Sequence, residues 1–167
     1  GTGLLHGGRH RRSTGKSGEG PGGGLIPMAD STFKLSVVSP ERLVLSEEVE
    51  EAQVPGKNGY LGILPGHAPM MTELDIGELS YRQGDRTSFL AVTWGYCEVL
   101  SDQVIVLAER AERAEEVDTE RAQASLERAR KRLSNLQDPD TDFLRAGTSL
   151  QRALIRMQVS QKAGGNS

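Results

Sequence analysis

Val54-Pro55-Gly56-Lys57-Asn58-Gly59-Tyr60-Leu61-Gly62-Ile63-Leu64-Pro65-Gly66-His67-Ala68-Pro69-Met70-Met71 holds a hairpin turn and a rigid loop in one short stretch. Asn58-Gly59 is a two-residue hairpin signal, because both residue types tolerate positive φ. Pro65 and Pro69 flank Gly66-His67-Ala68. Proline fixes φ and removes an amide donor, so this part of the stretch, through Met71, reads as loop and not as strand. Nothing here leaves room for a long helix, and the segments on either side agree.

Before the stretch, Phe33, Leu35 and Val37 alternate with Lys34 and Ser36, Val44 follows Ser39-Pro40-Glu41, and residues 49–54 form a further piece. After it, strands are expected at residues 60–64, 79–83, 88–94, 96–100 and 104–108, with turns at Gly84-Asp85 and Ser101-Asp102. Many short strands at regular spacing indicate an antiparallel sandwich or barrel.

Past Ala108 the composition changes to alanine, glutamate, arginine and leucine, without glycine until Gly147. Asp118 is placed to cap a helix. Leu126, Ala129, Leu133 and Leu136 recur at three- and four-residue spacing on one face, and Glu127 and Lys131 stand as an i,i+4 pair. Asp138-Pro139-Asp140-Thr141-Asp142 stops that helix. A second helix places Phe143, Leu150, Ala153, Leu154 and Met157 on one face. Two one-faced helices joined by a short turn form an antiparallel hairpin. Its alanine-rich stripes bury little area, so it is expected to be marginally stable alone and able to leave the sandwich. The division that results is a sandwich over residues 28–110, a hairpin over 111–162 and a disordered tail over 163–167.

Residues 1–27 are expected to be a disordered extension, either a tag or an upstream start. Half of the 20 glycines lie there, with four basic residues and few that pack. Thr14-Gly15-Lys16-Ser17 imitates the end of a P-loop, but His10 stands where the motif needs glycine and no strand precedes it.

The net charge of −3 gives no general attraction to nucleic acid or anionic membrane. No apolar run approaches the roughly 18 residues of a membrane span. One cysteine, Cys97, excludes an internal disulfide and reads as a small buried hydrophobe. His67 invites a catalytic or metal reading, with Glu73 as a partner carboxylate. The other histidines, His6 and His10, lie in the extension, so no ligand set forms, and a bond from His67 to local backbone is expected instead.

The stretch from Val54 to Thr72, with Gly95-Tyr96-Cys97-Glu98-Val99 and Val104-Ile105-Val106-Leu107-Ala108-Glu109, resembles the epsilon subunits of bacterial and chloroplast F-type ATP synthases. The likeness in order and spacing runs from about residue 33 to residue 161. Trp94 departs from it, standing where the family more often carries a small residue. The resemblance implies an α+β chain: an antiparallel β-sandwich of about ten strands, then a two-helix hairpin. It implies no enzyme activity, and no metal or required cofactor. The sandwich would join the gamma subunit to the c-ring, with Gly66, His67, Met70 and Met71 as contacts, although the two methionines could equally fill the core. The extended hairpin would meet the alpha/beta catalytic head through Arg128, Arg130, Lys131 and Arg132 and restrain ATP hydrolysis. The location implied is peripheral, on the cytoplasmic face of a bacterial plasma membrane or the stromal side of a thylakoid.

Some bacterial members bind a regulatory ATP through a motif that Val117-Asp118-Thr119-Glu120-Arg121-Ala122 resembles, with Glu112, Arg128, Arg152 and Arg156 near matching positions. Chemically, Asp118 would accept from the adenine amino group and the arginines would offer charged donors to phosphate. The plainer alternative leaves Asp118 as a cap and the arginines solvated. Rival functions are a stand-alone small-ligand module and an enzyme using His67.

Overall fold

In the computed structural model, which describes residues 1–3, 31–135, 137, 139–140 and 142–163, eight strands precede two helices. The expectations for residues 4–30 and 164–167, the P-loop imitation, His6, His10 and Leu136 lie outside the described residues. The strands are β1 (Phe33–Val38), β2 (Leu43–Val49), β3 (Glu51–Gly56), β4 (Gly59–Ile63), β5 (Met70–Leu74), β6 (Gly77–Gln83), β7 (Arg86–Val99) and β8 (Gln103–Arg113). A single 3-10 turn, Ala114–Glu116, leads into α1 (Thr119–Ser134), and α2 (Phe143–Ala163) follows.

Among the described residues the strands number eight, where the resemblance implies about ten, and β7 and β8 are the longest, of 14 and 11 residues. Residues 88–94 and 96–100, expected as separate strands, belong to β7, which crosses Trp94-Gly95 without ending. Its first half pairs with β6 and its second half with β5, both antiparallel. β8 pairs along nearly all of β7, and its start pairs in parallel with β1. The order β2-β1-β8-β7-β5-β3-β4, with β6 bridging β3 and β7, makes one sheet folded over on itself. Inward residues of all these strands, among them Leu35, Val54, Ile63, Leu79, Val92 and Val106, share one core. Burying such side chains contributes roughly 1.5–3 kcal/mol each. Cys97 is part of this core, and burial pushes its thiol up to about 12, which leaves it protonated and unreactive.

Local chemistry explains several departures from the sequence reading. The β3–β4 hairpin forms, but its loop is Lys57-Asn58. Gly56 pairs with Gly59, and Gly59 alone takes positive φ, at 124°. Residues 49–54 divide at Glu50 between β2 and β3. Met70 and Met71 open β5 instead of extending the loop, and both are exposed, Met71 at 64%. They do not fill the core. β8 continues to Arg113, past the boundary expected at residue 110.

Asp118 caps α1 by accepting from the Arg121 N–H at 2.9 Å, and Asp142 does the same for α2 through the Arg145 N–H at 3.0 Å. α1 stops at Ser134, ahead of Pro139. Ala122, Leu126 and Ala129 face α2, whose Ala146 and Ala153 are buried. Glu127 pairs with Arg130 at 3.7 Å and accepts from Gln123, rather than pairing with Lys131. The expected stripe on α2 is only partly right. Phe143 and Leu154 are exposed, whereas Val159, which that stripe omits, is fully buried. The reason is that α2 has two neighbours. It packs on α1 and also lies on β7, β6 and the 3-10 turn.

Candidate functional site

The hairpin and the sandwich do not share a core. Ala91, Ala114 and Val159, with Phe89 and Ile155 against them, form a small separate cluster where α2 meets the sheet. Around it the contact is polar. Arg156 donates to both oxygens of Glu112, at 2.6 and 3.0 Å, a bidentate, partly buried pair between α2 and β8. Lys162 reaches Glu78 at 2.7 Å, Gln158 donates to Glu78 and Gln151 donates to the Ile76 carbonyl.

Beside this seam lies a cavity of about 610 Å³ between β7, β8 and the two helices. Glu112, Arg121, Arg152 and Arg156, four of the residues singled out by sequence, line it together. Val117, Asp118 and Arg128 do not. Val117 is buried at the mouth of α1, the Asp118 carboxylate is occupied as a cap, and Arg128 donates to Ser125 at 2.9 Å, which itself lines the cavity. Arg42, Arg110 and Ser149 also line it, and sequence reasoning missed them. They come from elements far apart in the chain, and no local spacing joins them. Five arginines, Arg42, Arg110, Arg121, Arg152 and Arg156, thus line the cavity against four glutamates, Glu41, Glu109, Glu112 and Glu116, and the small surplus of guanidinium donors suits an anion carrying phosphate.

Arg42 and Glu116 form a tie between the β1–β2 turn and the 3-10 turn. The hydrogen bond from Arg42 holds the Glu116 carboxyl below its ordinary value of 4.5, against an opposing effect of burial. A depressed carboxylate adds stability that is complete above the ordinary value and fades as pH falls through the lowered one. Both groups are partly exposed, so solvent screens the contribution. Protection of the Ala114–Glu116 amides, taken relative to the intrinsic exchange rate at each pH, is expected to fall in acid in the wild type. Arg42→Ala should show that lower protection already at neutral pH, with the sandwich core unchanged.

The sandwich presents a second surface. His67 lies in the loop before β5, half-exposed, with Nδ1 2.8 Å from the Ala68 carbonyl and its N–H on Leu64, the local bonding expected for it. Gly66 supplies the positive φ of 80° in that loop. Glu73 is engaged by Lys57, so no acid–base pair with His67 is assembled. Among the described residues no group of three or more potential ligands could hold a metal ion, and no helix is long and apolar enough to cross a membrane. Near the loop, Met71, Tyr96 and Leu107 stand exposed on adjacent strands, Tyr96 directly opposite Leu107 and Glu73. Tyr96 and Leu107 are also additions to the sequence reading. Their signal was an apolar residue at an outward position of an alternating strand. On α1, Arg128, Arg130, Lys131 and Arg132 are all exposed.

Two family models cover the described chain: ATP synthase, Delta/Epsilon chain, beta-sandwich domain over residues 32–114, and ATP synthase, Delta/Epsilon chain, long alpha-helix domain over residues 115–161. The chain is similar to "ATP synthase epsilon chain 2" of Syntrophotalea carbinolica, 47% identical over 132 residues, 79% of this chain and 96% of that one. It is 57% identical over 106 residues to the "ATP synthase epsilon chain" of Koribacter versatilis, across 64% of this chain and 74% of that one. The same fold occurs in a chain of the Euglena gracilis mitochondrial ATP synthase, with a TM-score of 0.66, 22% identity and 88% of each chain covered.

Proposed function

The chain belongs to the ATP synthase delta/epsilon chain family, and on that premise we propose that its hairpin is a releasable restraint on ATP hydrolysis. It is a non-catalytic epsilon subunit of ATP synthase, a component of the central stalk. The observation that carries the restraint reading is the separation of cores. The sandwich has its own complete core, and the hairpin is attached by a small apolar cluster and a polar seam. Such an attachment can open while the sandwich stays folded. Released and extended, α2's 21 residues span about 30 Å. The exposed cations Arg128, Arg130, Lys131 and Arg132 would then meet acidic surfaces of the alpha and beta subunits. The surface holding Gly66, His67, Met70, Met71, Tyr96 and Leu107 would dock on the gamma subunit and the c-ring. These partners would place the subunit peripherally, on the cytoplasmic face of a bacterial membrane.

A chain ending at Val117 tests this. That end keeps β8 and the 3-10 turn, which a cut near Ala111 would damage. Reconstituted complexes carrying it should assemble and make ATP, and should hydrolyse ATP several-fold faster than wild type. Failure to assemble would make the hairpin structural instead.

A regulatory ATP in the cavity is the finer part of the proposal. Its support is the size of the cavity and the convergence of Glu112, Arg121, Arg152 and Arg156 on it. Phosphate would compete with Glu112 for Arg156, and ATP bridging α1, α2 and β8 would favour the docked hairpin. Calorimetry on the isolated chain should detect binding below millimolar ATP, weakened about tenfold or more in Arg121→Ala. No heat at millimolar ATP would remove ATP binding from the account and leave the subunit assignment standing.

A further inference from the structure

α2 meets β7 through two aromatic rings. The guanidinium carbon of Arg152 lies 4.6 Å from the centroid of the Trp94 ring, and Nζ of Lys162 lies 4.6 Å from that of Phe89. Both rings belong to β7 and both cations to α2. Five strand residues separate the rings, a rise of about 16 Å. Ten helix residues separate the cations, about 15 Å. The spacings match, and the order is reversed, so α2 runs antiparallel along β7 with one cation on each ring.

The Trp94 end is unusual in two ways. Trp94 holds a left-handed backbone, φ 44°, rare for a bulky residue. Among the described residues, the buried Nε of Arg152 has no hydrogen-bond partner. A buried unpartnered donor on a charged group is costly, so what holds this guanidinium in place is the face of the indole. Between the two ends sits the Arg156–Glu112 pair, and the Val159 cluster packs against Phe89 at the second end.

We propose that Trp94–Arg152 and Phe89–Lys162 form a two-point cation–π clasp that sets the register of the hairpin on the sandwich and how often it leaves. The inference deepens the reading of the hairpin as a releasable element and rests on it. The two ends are not equivalent. Lys162 is also neutralised by Glu78, whereas Arg152 depends on the ring. The Trp94 end is therefore the one where a single substitution changes release most.

The test is amide exchange along α2 in the full-length chain without nucleotide. Trp94→Leu keeps apolar bulk and removes the indole. Arg152→Met keeps length and removes the charge. Each is expected to raise the opening of α2 by roughly 3- to 30-fold, and the double variant by no more than either single one. Phe89→Leu should act at the other end and multiply with Trp94→Leu, while Lys162→Arg should leave opening near wild type. If Arg152 were only an unsatisfied buried donor, Arg152→Met would slow opening; that result, or fully additive effects of Trp94→Leu and Arg152→Met, overturns the clasp. If α2 of the wild type opened only with global unfolding, the releasable-hairpin reading would fall. The same double-mutant cycle would then be read on the global denaturation midpoint, where coupling supports the clasp and its absence overturns it.

Discussion

Gly95→Ala is expected to lower the melting temperature of the sandwich by on the order of 10–20 °C, or to prevent folding altogether. Gly95 sits where β7 passes from its pairing with β6 to its pairing with β5, opposite Ala108 of β8. Its φ is 126°, a conformation that strains any residue with a Cβ. Space is the larger objection. A Cβ there would lie 1.9 Å from the carbonyl oxygen of Leu107 and 3.0 Å from the Cα of Ala108. Both are backbone atoms of the paired strand, so no rotamer change relieves the clash. β7 and β8 would have to separate at the point where the two longest strands hold the sheet together. A cost of about 3 kcal/mol or more is a large part of a typical stability of 5–15 kcal/mol, and each kcal/mol moves the midpoint of a domain this size by roughly 4–8 °C. Gly62→Ala is the control. Gly62 lies in β4 with nothing within 4 Å of its Cβ position, and its variant should melt within a degree or two of wild type. Thermal denaturation followed by circular dichroism compares the two. Equal melting points would mean that the strands part at little cost.

The legibility of this molecule follows the range of the interactions involved. Strand alternation and the Asp118 cap are local, and they were readable; Asp142, read only as part of the helix stop, turns out to cap α2 as well. The number of strands was not. Trp94-Gly95 looks like a chain break, and only pairing with β5, β6 and β8 reveals that β7 continues through it. The site divides in the same way. Arg121, Arg152 and Arg156 came from spacing within the tail and a family resemblance, whereas Arg42 and Arg110 reach the cavity through tertiary folding and carry no local mark. α2 misled because a single-stripe pattern assumes one neighbour. With two neighbours to satisfy, small alanines face α1, Val159 faces the sheet, and Phe143 and Leu154 are left in water.

That second face of α2 sets up the other large effect. Val159→Asp is expected to shift the hairpin from docked to released, while the sandwich melts as before. Val159 is fully buried against Ala91 and Ala114, with Phe89 and Ile155 beside it. Removing the valine forfeits roughly 1.5–3 kcal/mol of apolar burial. An aspartate left there would face the far greater cost of a desolvated charge. The described cations nearest along α2 are committed elsewhere, Arg156 to Glu112 and Lys162 to Glu78 and the Phe89 ring. The chain has a cheaper response than tolerating that charge. It can open the seam, hydrate the carboxylate and give up only the contacts of α2 with the sheet. The cost is therefore capped at the docking free energy of the hairpin, which is what distinguishes this substitution from Gly95→Ala, where no partial opening helps. Exchange along α2 should lose most of its protection, while Leu79, Val92 and Val106 keep theirs. In complexes, the released hairpin should be free to reach the catalytic head, and ATP hydrolysis should fall several-fold, opposite in sign to the chain ending at Val117. Protection of α2 equal to wild type, or loss of sandwich and hairpin in one transition, would show that the two cores are not energetically separate and would remove the basis for a releasable restraint.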